Sequence, residues 1–143
     1  MNTLMKDILT VANDNSCCWL ATIDDVRPRL RPMQMWFADS TGFYFHTGKG
    51  KNVCRQLMEN PLAEASFSTK NGEIVRVSGA VEFPSDSILT ERLFRERPWV
   101  IDKNDPSESE SDIVIFRIVR STAYLWTSAY NARENDIPRV YFH

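Results

Sequence analysis

The stretch from residue 27 to residue 61, RPRLRPMQMWFADSTGFYFHTGKGKNVCRQLMENP, restricts the fold more than any other. Its odd positions Arg27, Arg29, Arg31, Met33, Met35 and Phe37 would share one face of a strand, and that face changes from cationic to apolar halfway along. Pro28 and Pro32 lack the N–H that a ladder needs, so at least one side of this strand is an edge or is bulged. Ser40-Thr41-Gly42 then makes a turn into Phe43-Tyr44-Phe45-His46-Thr47, a strand rich in aromatics. A loop of alternating glycine and lysine follows, and behind it comes an amphipathic helix that Asn60-Pro61 stops.

Charge is unevenly spread over this stretch. Between Arg27 and Arg55, the six cations Arg27, Arg29, Arg31, Lys49, Lys51 and Arg55 face a single acid, Asp39, in a chain of formal net charge −2. A local cationic excess in a slightly acidic protein points to one specific anion rather than to a generally basic surface. Gly48 and Gly50 allow backbone N–H groups to approach a ligand, and the helix start adds free donors and a positive dipole end. Thr47 and Asn52 offer uncharged donors, and Lys49 and Lys51 offer charge. The arrangement suits a phosphate. Two plainer readings stay open: a solvated lysine-glycine loop, and a second strand that simply runs from solvent into the core. The nucleotide-triphosphate loop is excluded, because it needs Gly-Lys-Ser/Thr after a longer glycine spacing.

The rest of the chain reads as strands joined by turns. Residues 1–15 have helical spacing at Leu4, Ile8, Val11 and Ala12, and residues 17–23 are a continuous apolar run, expected as a strand buried on both sides. The helix after the lysine loop should bury Val53, Leu57 and Met58. Residues 62–69 and 73–83 form two strands around an Asn71-Gly72 hairpin turn, with Val75, Val77, Val81 and Phe83 on one face. Ser85 or Asp86 caps a helix that reaches about Arg97 and carries a Leu89, Leu93 and Phe94 stripe. Residues 104–111 (NDPSESES) read as a solvated, mobile acidic loop. Strands at 112–120 and 122–128, divided by a tight turn, come next, and Val140-Tyr141-Phe142 ends the chain as a last strand or as a docking tail. Six or more mostly antiparallel strands with few helices between them give a mainly β fold, a β-barrel with peripheral helices, as one domain over residues 1–143.

Several function classes fall away. Three cysteines, two of them adjacent in an apolar run, make no disulfide framework, so a cytoplasmic home is expected. His46 and His143 are the only histidines, which leaves no zinc-site spacing and no hydrolase triad with a nucleophile elbow. No apolar run has membrane-span length and no signal peptide is visible, so no membrane partner is expected. The small basic stretch and acidic total oppose nucleic-acid binding.

The segments Arg31-Pro32-Met33-Gln34 and FYFHTGKGKNVCRQLMENP resemble the pyridoxamine 5′-phosphate oxidase-like family of FMN-binding split barrels, in particular its small general stress and nitroimidazole-resistance branch. The likeness runs from residues 16–22 through residues 74–79 to Trp126. It implies a split barrel of the FMN-binding type. The cofactor would be FMN, with its phosphate held among Arg31, Thr47, Lys49, Lys51 and Asn52 and its ring lying along Pro32, Met33 and Met35. Gln34 would bond the ring edge. His46-Thr47 falls where the family has its aromatic-threonine pair, but Asn52 and Val53 stand where pyridoxamine oxidases have an Arg-Lys pair, which leaves open which lysine holds the phosphate. Relatives form a homodimer with FMN at the subunit interface and an aromatic from the second chain beside the ring; Trp126 is the candidate, with Trp99 behind it. The C-terminal basic cluster of the vitamin B6 oxidases is missing, so the implied activity is hydride transfer from NAD(P)H through FMN to an unidentified small-molecule acceptor. No side chain is assigned as a catalytic acid. A haem-binding or other-cofactor split barrel, or a non-enzymatic flavin or ligand-binding protein, remains the alternative.

Overall fold

The computed structural model describes residues 1–143. Its elements in chain order are α1 (Thr3–Asp14), β1 (Cys17–Asp24), β2 (Arg27–Gln34), β3 (Phe37–Asp39), β4 (Gly42–Gly48), α2 (Asn52–Glu59), β5 (Leu62–Ser68), β6 (Ile74–Glu82), α3 (Ser87–Glu96), β7 (Ile113–Trp126) and β8 (Arg139–Phe142). Every strand pairing is antiparallel. The sheet order is β2-β1-β5-β6-β7-β4-β3, with β8 also paired to β7. The two ends of that path, β2 and β3, are consecutive in the chain and only Met35 and Trp36 separate them. Those two residues stitch the ends together: the Met35 N–H donates to the Ser16 carbonyl at 2.8 Å and the Trp36 N–H to the Tyr44 carbonyl at 2.8 Å. The sheet therefore curls into a barrel that stays split between β2 and β4.

The barrel closes over fully buried Phe43, Phe45, Phe67, Phe116, Phe142, Leu20 and Met35, and α1 plugs one end with Ile8, Leu9 and Ala12. Burying side chains of this size drives folding at about 25 cal/mol per Å² of apolar surface. As the prolines require, β2 is an edge strand that pairs only with β1.

The expected long second strand is instead two strands. Met35 and Trp36 leave the ladder and turn inward, so the stripe from Arg27 to Phe37 does not share one face. Met35 is fully buried and does not line a slot for a ring. β1 is buried on one face only, and Trp19 on its outer face is 52 % exposed because no element of the chain covers it. In α2 the buried face is Val53, Cys54, Gln56 and Leu57, whereas Met58 is exposed. The two expected strands at 112–128 are one. β7 runs for 14 residues and bends at Arg120, where φ is 43°. There its register with β6 shifts between Ser78 and Ala80. Gly79 sits at that bulge, and a Cβ on it would lie 2.5 Å from Ser121 Cβ and 2.6 Å from the Val119 carbonyl oxygen. α3 begins as expected, with Asp86 accepting from the Ile88 and Leu89 N–H groups. Val140-Tyr141-Phe142 does form a last strand, β8.

Candidate functional site

The split between β2 and β4 opens as a cleft of about 850 Å³, a size typical of pockets for small ligands and cofactors. One wall is the free edge of β2, from Arg31 to Gln34; the other is the end of β4 and its following loop, from His46 through Lys51. Arg97, Trp99 and Ile101 behind α3 and the rim residues Ser107, Glu108, Ser109 and Asp112 complete it. Eight of the residues expected to hold the cofactor thus meet there, Arg31, Pro32, Met33, Gln34, His46, Thr47, Lys49 and Lys51, and Trp99, the second aromatic candidate, lines the same cleft. Asn52 is exposed at the start of α2 beside the cleft and does not line it. Trp126 lies at the far end of β7, opposite Ile74, outside the cleft of its own chain.

Arg31 is the best-built cation of the group. One terminal nitrogen donates to Thr22 Oγ1 at 2.7 Å and to the Leu20 carbonyl at 3.3 Å, and the other donates to Gln56 Oε1 at 2.6 Å. Thr22 in turn donates to Gln56 Oε1 at 2.6 Å, so β1, β2 and α2 lock one another through this guanidinium. Every partner is neutral. Half-burial pushes the Arg31 pKa below its ordinary value, which marks a charge that lacks a compensating anion. Gln56, which lies off the Val53, Leu57 and Met58 stripe expected to be buried, is itself buried because this network needs its amide oxygen.

The glycine-lysine loop offers a ligand fewer backbone donors than its sequence suggests. Gly48 and Gly50 do not use the left-handed conformation, and a Cβ on Gly50 would meet open space. Two loop N–H groups are already engaged within the chain: Lys49 donates to the Asp112 carbonyl at 2.8 Å and Lys51 to the Gly48 carbonyl at 3.1 Å. What the loop leaves for a ligand is the lysine side chains, access over Gly50, and the first-turn N–H groups of α2, which have no partner inside a helix. Lys51 is the residue before the helix, and its side chain makes no capping bond.

The cleft also holds a group the sequence did not single out. Arg97 donates to His46 Nε2 at 2.9 Å and to the Met35 carbonyl at 2.9 Å, with its guanidinium 5.5 Å from the Trp99 ring centre. A guanidinium has no acceptor, so Nε2 accepts and the neutral imidazole carries its proton on Nδ1. Burial, Arg97 and Lys51 push the His46 pKa down to about 4. Burial also lowers the Arg97 pKa. Arg97 is one of several arginines in and after α3, and no spacing or motif separates it from Arg92 and Arg95. The acidic loop is structured where it meets the cleft: Asp105 accepts from the Ser107 hydroxyl at 2.6 Å, and Glu108 accepts from the Asp102 N–H.

An antiparallel barrel split along one seam, with a cationic cleft in the seam, defines a split-barrel protein. Residues 4–126 match the family described as pyridoxamine 5′-phosphate oxidase, and the chain belongs to that family. Over 133 residues it is 34% identical to the pyridoxine/pyridoxamine 5′-phosphate oxidase of Hyphomonas neptunium, a match covering 89% of this chain and 58% of that protein. The chain thus spans little more than half the length of that relative. Among solved structures, a NimC/NimA family protein from Clostridium acetobutylicum gives a TM-score of 0.76 at 21% identity, covering 96% of this chain and 92% of that one. General Stress Protein 26 from Bacillus anthracis gives 0.72 at 18% identity over 98% and 99%. A heme binding protein from Mycobacterium smegmatis gives 0.70 at 14% identity over 99% and 59%. At such identities these structures speak for the fold alone.

Proposed function

We propose that this chain is an FMN-binding flavoprotein that takes a hydride from a reduced nicotinamide and passes reducing equivalents to a small-molecule acceptor. One observation carries the reading: Arg31 is held in the cleft by neutral partners, with its charge unpaired and its pKa lowered by burial. A dianionic phosphate beside Arg31, Lys51 and the first turn of α2 supplies the missing countercharge. Lys49 and Thr47 line the same cleft and offer a further charge and a hydroxyl, and Asn52 adds a donor at the helix start. The exposed free edge of β2 presents Pro32, Met33 and Gln34, backbone and side chain, to a flat ring. Bound FMN supplies two-electron redox chemistry, and the chain's part is to anchor, orient and shield it.

Vitamin B6 oxidation is not the activity this chain's own residues favour. Arg133 bonds Asp136 at 3.2 Å, and Arg139 lies 5.0 Å from the Tyr124 ring centre; neither lines the cleft. A haem in the same cleft fits worse than FMN, because the Nε2 of His46 is already committed to Arg97. The outer face of the β1–β2 hairpin supports a homodimer, in which Trp126 of one chain would reach the flavin held by the other. Trp19 and Leu30 there are 52 % and 64 % exposed on one sheet face, apolar surface that a second copy would cover.

The test is anaerobic. FMN-loaded protein should lose its oxidised flavin absorbance when NADH or NADPH is added, and regain it when air is admitted. A loaded protein whose flavin spectrum ignores both nicotinamides would reduce the proposal to a flavin-binding protein without this turnover.

A further inference from the structure

The cleft holds two arginines, and they are tied into separate networks. The Arg31 guanidinium is tied to Leu20, Thr22 and Gln56 at one level of β2, whereas that of Arg97 is tied to the Met35 carbonyl, four residues further along. Like Arg31, Arg97 has no carboxylate within ion-pair distance. Its two contacts within the chain occupy two of a guanidinium's five N–H donors. Nearby Glu96 is committed elsewhere, to Arg92 at 2.8 Å and to the Trp36 ring N–H at 3.0 Å. Glu108 on the rim accepts from the Asp102 backbone. His46 and Met35 therefore aim Arg97 without neutralising it. Beside it, Trp99 is 63 % exposed and stands edge-on to the His46 ring at 6.1 Å, a flat apolar surface next to a planar cation.

We propose that Arg97 and Trp99 form a second-ligand subsite for a planar aromatic carboxylate, whose carboxylate pairs with the Arg97 guanidinium while its ring packs on Trp99. The planar fork of arginine matches a carboxylate in two parallel hydrogen bonds, which a point charge cannot do. His46 is a positioning residue here. Its acceptor nitrogen fixes the fork, and as a neutral ring at ordinary pH it adds no competing charge. The inference deepens the flavin reading by giving the acceptor a chemical class, and it rests on that reading only for the statement that Arg31 is taken by a phosphate.

The experiment is calorimetric titration of the purified protein, with and without FMN, using benzoate and the isosteric neutral benzamide as probes. Benzoate should bind saturably and at least ten-fold more tightly than benzamide. Arg97→Gln should erase that preference while changing FMN affinity less than three-fold, whereas Arg31→Gln should weaken FMN and leave the benzoate preference intact. Arg97→Lys, which retains charge and replaces the fork by an ammonium, should keep part of the preference, and this guards against a folding defect in Arg97→Gln. Equal binding of the two probes, or a parallel loss of benzoate and FMN in Arg97→Gln, would overturn the subsite. Selective benzoate binding by a protein that takes up no FMN would uphold the subsite and sink the flavin reading.

Discussion

His46 shows how a single side chain ties the cleft to stability. Burial and two neighbouring cations bring its pKa to about 4, against about 6.5 for an unhindered imidazole. Between those values the unfolded chain binds more protons than the folded one. The stability this residue contributes is therefore complete above about pH 6.5 and is lost as pH falls toward 4. The loss should be about 1–3 kcal/mol for a partly buried group. Urea unfolding at pH 7 and pH 4.5 measures it, and His46→Gln should flatten the difference. An unchanged difference in that variant would assign the proton to another group. The sequence offered His46 as a cofactor-site candidate, and the structure puts it in the cleft with a partner the sequence did not reveal. Arg97 lies 51 residues away, and only the fold brings it within hydrogen-bond reach. Gln56 escaped for a related reason: a buried amide that serves a network looks, in sequence, like any polar residue on a helix.

At the scale of elements, patterning located most strands but not where the ladder bends. Alternation in residues 74–82 and the aromatics of residues 42–48 were legible because one face of each strand packs into the core. The polar Arg120-Ser121-Thr122 looked like a turn. It is a bend inside one continuous strand, made possible because Gly79 on β6 has no side chain to fill the space. Likewise the stripe from Arg27 to Phe37 concealed a crossing at Met35 and Trp36, since the inward turn of two apolar residues leaves alternation almost undisturbed. Gly79→Ala should accordingly cost about 1–3 kcal/mol by forcing Ser121 and the Val119 carbonyl aside. A thermal melt reads this directly, and a variant as stable as the parent would mean that the bulge relaxes more easily than its close packing implies. The lysine loop lines the cleft, but two of the backbone N–H groups expected to face a ligand are used within the chain, by the Asp112 and Gly48 carbonyls.

For the whole molecule, the seam of the barrel is also the cleft, so closure of the sheet and formation of the site are one event. The apolar outer face of β1 and β2 extends the argument beyond one chain. If a second copy covers Trp19 and Leu30, sedimentation should give about twice the chain mass, and Leu30→Glu should shift the protein toward monomer. Trp126→Ala should alter the flavin spectrum and leave the dimer intact, because Trp126 lies outside the cleft of its own chain. A monomer that binds FMN as tightly as the native protein would rule out a shared site. The central claim is that the pole at Arg31 holds a phosphate, and the most direct measurement is the ratio of FMN to riboflavin affinity in the native protein and in Arg31→Ala. Native protein should prefer FMN strongly. Arg31→Ala should lose about 1.5–3 kcal/mol, roughly ten- to a hundred-fold, for FMN and little for riboflavin, which has no phosphate. Arg55→Ala, whose guanidinium sits outside the cleft on Asp24 and Glu59 at 3.3 Å each, should leave both affinities unchanged. Equal losses for the two flavins in Arg31→Ala would contradict the account and make Arg31 a strut between β1, β2 and α2.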